Sequence, residues 1–237
     1  MMKRSKRYTA NRQKVEAKKY ALEEAIRKAK ETANSKYDES IDLSIKLAID
    51  PKKTDQFVRG FSNLPHGTGK TKRILVLAKG EKEQEAKEAG ADYSGFDEYI
   101  EKLKGGWSDV DIIIATPDVM SDISKLGRIL GPKGLMPSPK AGTVTFEIAA
   151  QVKALKKGKV EFKTDKTGCV HIPVGRASFD DQKLHENVLV LMEDLLAAKP
   201  QTIKGNLIKS VTISSTMGPG ITIDEKELLD RARKGGI

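Results

Sequence analysis

Residues 40–49 alternate strictly, with Ile41, Leu43, Ile45, Leu47 and Ile49 on one side of an extended chain. Successive side chains of a strand point to opposite faces, so this stretch reads as a strand with one face on a core and the other in solvent. Such a strand cannot form a stable sheet alone. The residues that follow have a different texture. Residues 73–78 and 110–115 are continuous apolar runs, the pattern of strands covered on both faces, and helical patterns over 81–89, 118–123 and 146–156 alternate with them. Alternation returns only after Gly158, in 160–162, 169–174 and 206–215. The strand at 40–49 must find its partners there, across the intervening unit.

The predicted fold is an α+β outer domain, residues 1–67 plus 159–237, split by an inserted three-layer α/β domain of Rossmann-like build over 68–158. The chain crosses between the two domains twice, which predicts a double-stranded hinge at Pro65, His66, Gly67 and Gly158. Helices are expected over 14–33, 180–198 and 224–234, and residues 1–13 read as a basic arm. At 237 residues the chain has length enough for two ordinary domains.

Charge is unevenly placed. The net charge is +10, but residues 68–158 hold 15 basic and 13 acidic residues, and the remainder 28 basic and 20 acidic. The outer domain therefore carries the positive field, which steers polyanions. A membrane suits the chain less well than nucleic acid. No apolar run approaches the ~20 residues a spanning helix needs, and the basic start lacks the apolar core of a signal peptide. The single cysteine, Cys169, excludes an internal disulfide and fits a reducing cytosol.

Chemistry-bearing motifs are few. Residues 67–71, Gly-Thr-Gly-Lys-Thr, end like a phosphate-binding loop, but Leu64 stands where that motif needs glycine, and the segment leads into a strand instead of a helix. Cys169 and His171 share a strand face, with no third ligand evident from spacing, so no metal is expected. Neither a Ser-His-Asp set nor a carboxylate pair can be made out. No catalysis and no cofactor are expected.

Recognition of nucleic acid has better candidates. Lys36 and Tyr37 put a cation beside an aromatic ring just before a strand; Lys163 and Lys166 flank the hairpin turn 165–168; Thr216, Met217 and Gly218 offer a hydroxyl and an approachable backbone at a strand end. Together these are expected to line one edge of one sheet, where Thr and Gly can reach sugar 2′-hydroxyls and phosphates. Arg4, Lys6 and Arg7 in the arm are candidates for backbone contact. Aromatic residues make up only 5% of the chain, which argues for structured RNA read by shape over a single strand stacked on a platform. A nucleotide-binding enzyme using 67–71 and an architectural DNA-binding protein are the rival readings.

Residues 123–146 hold four basic residues, four glycines, three prolines and no acid, yet also Leu126, Ile129, Leu130, Leu135 and Met136, which call for burial. This is a shaped loop in a folded domain, and its LGRILGPKGLMPSPKAGTV closely resembles the signature of the L1 family of large-subunit ribosomal proteins. Further landmarks agree in order, among them Lys36-Tyr37-Asp38-Glu39, Leu64-Pro65-His66-Gly67, Asp165-Lys166-Thr167-Gly168 and Thr216-Met217-Gly218-Pro219. The resemblance is to bacterial members. It implies a split two-domain fold with a hinge and a monomer when free. It also implies residence in the large subunit of the cytoplasmic ribosome and binding to the stalk helices of large-subunit rRNA. Help in releasing exit-site tRNA and repression of the protein's own mRNA are implied as well. On matched positions it assigns RNA contact to Lys36, Tyr37, Lys166, Thr167, Thr216, Met217 and Gly218, with His171 as an addition. Because the 123–146 loop lies in the nearly neutral inserted domain, a structural task is expected of it first, with contact to RNA or tRNA through Lys133 and Lys140 as the alternative; residues 221–237 match the family less closely and are assigned no role.

Overall fold

The computed structural model describes residues 5–50, 53, 56–139, 142–203 and 205–233. The fold is mixed α/β with several sheets, and the chain falls into two compact units, residues 1–69 with 158–237, and residues 70–157. The first unit opens with α1 (Lys6–Gln13), α2 (Leu22–Thr32), β1 (Ser40–Leu47) and β2 (Arg59–Asn63). The second holds β3 (Ile74–Leu77), α3 (Glu81–Glu88), β4 (Tyr93–Gly95), α4 (Asp97–Lys104), β5 (Ile112–Ala115), α5 (Met120–Ser124), α6 (Gly127–Leu130) and α7 (Ile148–Lys157). The first unit then resumes with β6 (Lys159–Lys163), β7 (Cys169–Arg176), α8 (Asp181–Ala197), β8 (Ile208–Ser215), β9 (Ile221–Ile223) and α9 (Glu225–Arg233).

In the first unit β1 lies between β7 and β8 in a four-stranded antiparallel sheet of order β7-β1-β8-β9. The alternation of β1 becomes physical here, because Ile41, Leu43, Ile45 and Leu47 are all fully buried. They share a core with Ala25, Ile26 and Ala29 of α2 and with Leu184, Val188, Leu191 and Met192 of α8. β2 and β6 form a separate two-stranded ladder. Gly60 is required in it, since a Cβ there would lie 2.7 Å from the Phe162 ring.

Two expectations for this unit need correction. The helix predicted over 14–33 begins only at Leu22. Tyr20 is instead held extended by β9: its N–H donates to the Thr222 carbonyl at 3.0 Å, and its own carbonyl accepts from Asp224 at 2.9 Å. The arm over 1–13 is not wholly an arm, for Lys6–Gln13 is helical and Ser5 Oγ caps it on the Tyr8 N–H. Asn11 docks this helix, buried and donating to the Thr32 carbonyl at 2.9 Å. β2 and β9, of five and three residues, are too short to show a period in the sequence.

The four residues named for a hinge sit in the first unit. Gly158, at φ 117°, lies against Gly67, at φ 65°. Asn187 of α8, fully buried, accepts the His66 N–H at 3.2 Å and donates to the carbonyls of Gly67 at 3.0 Å and Val174 at 2.8 Å. His66 Nε2 pairs with the Glu186 carboxylate, and Pro65 opens the turn that Gly67 N–H closes on the Leu64 carbonyl.

The second unit is built on a three-stranded parallel sheet of order β4-β3-β5. Every residue of β3 is buried, which explains its unbroken apolar run. Leu75 and Leu77 pack with Leu103, Ile113, Leu126 and Leu130, whereas Ile74 and Val76 pack with Ala86, Ile148 and Val152. The glycine-rich loop folds back onto this unit: Leu135 N–H donates to the Leu130 carbonyl at 3.0 Å, and Lys133 Nζ to the Gly106 carbonyl at 3.2 Å. Lys140 lies outside the described residues.

Candidate nucleic-acid interface

Two clusters form at opposite ends of the four-stranded sheet. The first joins the segment before β1 to the turn after β8. Thr216 N–H donates to the Ser40 carbonyl at 3.0 Å, and the Thr216 hydroxyl accepts from Ser40 N–H at 3.1 Å while donating back to the Ser40 carbonyl at 3.2 Å. One lone pair of that hydroxyl is left for a ligand. Tyr37 and Met217 are 55% and 49% exposed, unusual for side chains of their size. Gly218 is packed tightly, as a Cβ on it would come within 2.3 Å of Ser215 Oγ and 3.0 Å of Thr32 Oγ1.

Beneath this corner lies Glu39, only 1% exposed. Its carboxylate accepts the backbone N–H of Ser35 at 2.9 Å on one oxygen and that of Met217 at 3.0 Å on the other. Burial alone would raise its pKa, but the Ser35 and Met217 donors outweigh that and hold the carboxyl below its ordinary range. Asp38 ties the same segment to Ser178, and Arg176 donates to the Asp38 carbonyl at 2.9 Å. Arg7 reaches over from α1 to the Ser35 hydroxyl at 3.1 Å, which brings one arm candidate beside Lys36. Lys6 lies exposed at the start of α1, and Arg4 is outside the described residues.

The second cluster is the turn between β6 and β7. Asp165 Oδ1 accepts the N–H groups of Thr167 at 2.8 Å and Cys169 at 2.7 Å, and the Thr167 hydroxyl also donates to this carboxylate. The Cys169 N–H, more than any other group, keeps the Asp165 carboxyl below its usual range. Lys46 Nζ reaches the Thr167 carbonyl at 2.6 Å, and His171 Nδ1 shares a hydrogen bond with Ser44 Oγ at 3.0 Å. Lys166 projects freely exposed at the tip, and Lys163 ends the separate β2–β6 ladder.

These clusters do not line one edge of the sheet, as spacing suggested. β1 runs antiparallel to both neighbours, so the end of β8 meets Ile41 while the start of β7 meets Lys46. From Ser40, bonded to Thr216, to Lys46, bonded to Thr167, is six strand steps, or about 20 Å. Between them runs the solvent face of the sheet. Asp42 faces Ser214, Ser44 faces Thr212 and His171, and Lys46 faces Ser210. This hydroxyl-rich face was missed in the sequence, although the polar half of the alternation that located β1 encodes it.

The turn also supplies the third donor that sequence spacing failed to reveal: donor atoms of Asp165, Cys169 and His171 lie within 4.8 Å of one another. Asp165 Oδ1 already accepts two backbone N–H groups, and the Lys46 ammonium is held on the Thr167 carbonyl of the same turn, so the cluster is built as a turn cap. Residues 67–71 make no phosphate cradle either. Thr68 is buried, a Cβ on Gly69 would lie 2.8 Å from Arg176 Cγ, and the next element is the strand at Ile74.

The profile of the Ribosomal protein L1p/L10e family matches residues 29–219. The chain belongs to the ribosomal protein L1 family. It is 52% identical over 231 residues to the large ribosomal subunit protein uL1 of Kosmotoga olearia (strain ATCC BAA-1733 / DSM 21960 / TBF 19.5.1), covering 97% of this chain and all of that protein. The resemblance to bacterial members of the L1 family is thereby confirmed. The L1 profile contains both clusters and the sheet face between them, while α1 and α9 lie outside it. Among the described residues no helix is long and apolar enough to cross a membrane.

Proposed function

We propose that this chain is a structural, non-enzymatic constituent of the large ribosomal subunit in the cytoplasm, and that it binds large-subunit rRNA through the solvent face of the β7-β1-β8-β9 sheet. The observation that carries this reading is the corner where exposed Tyr37 and Met217 flank the Thr216 hydroxyl, inside a unit holding most of the excess positive charge. An aromatic face, a thioether and a hydroxyl with a free lone pair suit a folded RNA whose bases and 2′-hydroxyls are presented together. Membership of the L1 family supports the same assignment.

The finer reading has RNA contact at Lys36, Tyr37, Lys166, Thr167, His171, Thr216, Met217 and Gly218, with Lys6 and Arg7 adding phosphate contacts. It takes the rRNA partner to be the stalk region. It includes release of tRNA from the exit site, repression of the protein's own mRNA through a structured element like the ribosomal one, and bending at Pro65, His66, Gly67 and Gly158. It treats the free protein as a monomer.

The test is binding of a folded stalk-helix rRNA fragment to wild type, Thr216→Val and Thr216→Ser across a salt series, with duplex DNA and ATP as competitors. Loss of the hydroxyl in Thr216→Val should weaken binding by about 1–3 kcal/mol with an unchanged salt slope, and Thr216→Ser should retain most of the affinity. Because the same hydroxyl bonds Ser40, thermal stability is compared alongside. Equal competition by duplex DNA would sink the RNA reading, and saturable ATP binding would revive the enzymatic one.

A further inference from the structure

The two segments that make the Tyr37–Met217 corner come from opposite ends of the sequence, and one buried side chain holds both. Glu39 Oε1 takes the N–H of Ser35, next to Lys36 and Tyr37, while Oε2 takes the N–H of Met217 itself. We propose that Glu39 is the positioning residue of the RNA site: an anion that never meets RNA, yet sets the spacing of the Lys36–Tyr37 segment and the Thr216–Gly218 turn. This rests on the RNA-binding reading above.

The arrangement demands a carboxylate. Each oxygen faces a backbone N–H, so both must be acceptors. An amide of the same shape offers one acceptor and one donor, so Gln at this position would satisfy one segment and turn an NH2 group toward the other's N–H. A group 1% exposed finds no water to replace the missing partner. Exposed Tyr37 and Met217 have little packing of their own to fix them, so their spacing depends on the anchored backbone beneath.

Simple electrostatics predicts the opposite sign. An acid close to a polyanion site repels phosphate, so its removal should tighten RNA binding and steepen nothing else. Positioning predicts that Glu39→Gln weakens binding at least tenfold, with an unchanged salt slope because no phosphate pair is lost. The experiment measures stalk-fragment affinity for wild type, Glu39→Gln and Val188→Ala. The last variant removes apolar volume from the core that α8 shares with α2 and β1, and it should lose thermal stability while keeping full affinity.

Amide hydrogen exchange on the free wild-type protein supplies an arm that needs neither RNA nor a folded variant. Ser35 and Met217 N–H should be markedly protected relative to the loop amides at Tyr37 and Asp38. Unprotected Ser35 and Met217 amides, or Glu39→Gln binding as tightly as wild type or tighter, would overturn the proposal. A loss of affinity in Val188→Ala equal to that of Glu39→Gln would reduce Glu39 to a general stabiliser and overturn it equally. Wild type failing to bind the fragment would instead defeat the RNA reading, with the exchange result still deciding whether the clamp exists.

Discussion

Gly158 stands so close to Gly67 that a Cβ built on it would lie 2.4 Å from the Gly67 Cα and 3.2 Å from the Leu64 carbonyl oxygen. Both atoms belong to backbone and cannot swing aside. Gly158→Ala therefore combines a φ of 117° with a steric clash, each costing on the order of 1–3 kcal/mol. Gly205 is the comparison, since its φ is 83° but nothing lies within 4 Å of its Cβ position. Urea unfolding should find Gly205→Ala mildly affected and Gly158→Ala severely so. Equal effects would mean that the contact with Gly67 relaxes freely.

Asn187 binds the same segment from below. Replacing it with Leu strips the His66 N–H and the Gly67 and Val174 carbonyls of their side-chain partner. Unsatisfied buried groups cost about 1–3 kcal/mol each and do not add fully, so a loss of about 3 kcal/mol is expected. Hydrogen exchange should localise the loosening to residues around His66 and Gly67. A variant as stable as wild type would show that water replaces the amide there.

Much of the architecture was legible because it is written in apolar period. β1 announces itself through Ile41 to Leu47, and β3 through four consecutive buried residues. What failed to show depends on contacts made at a distance. α1 buries one residue, Asn11, and is docked by hydrogen bonds to Thr32 and Asn34 instead of an apolar stripe. Tyr20 leaves a plausible helical pattern because β9, too short to be seen, captures its backbone. At the site, the resemblance assigned RNA contact to Tyr37 and Thr216, whereas Glu39, although it closes the same landmark as Tyr37, reads in sequence as one more acid in a polar segment. Only the fold reveals that it is buried between two backbone donors.

His185 on α8 gives the first unit a pH response. Its burial pushes the imidazole below its ordinary pKa; Arg231 adds to this, and Glu23 and Glu186 oppose it. The folded protein thus prefers the neutral ring, and the unfolded chain takes up a proton more readily. The resulting stability is present above pH ~6.5 and is lost as pH falls toward the depressed folded value. Between pH 8 and pH 5 wild type should lose more melting temperature than His185→Gln, with His66 and His171 common to both. Parallel curves would show that His185 is equally basic in the two states.

The separation of the two clusters along β1 makes a quantitative demand on RNA binding. If one RNA covers the sheet face, Tyr37 at one end and Lys166 at the other touch parts of it about 20 Å apart. Tyr37→Ala removes a stacking surface and should weaken binding by about 1–3 kcal/mol without altering its salt dependence. Lys166→Ala removes a phosphate partner, so it should weaken binding less at high salt and lower the salt slope by about 1. Sites this far apart with no shared partner behave independently, so the double variant should show the sum of the two losses to within about 0.5 kcal/mol. A double variant no weaker than Tyr37→Ala would confine the RNA to the Thr216 corner. Strong coupling between the two positions would mean that binding at one end rearranges the sheet face or the RNA at the other.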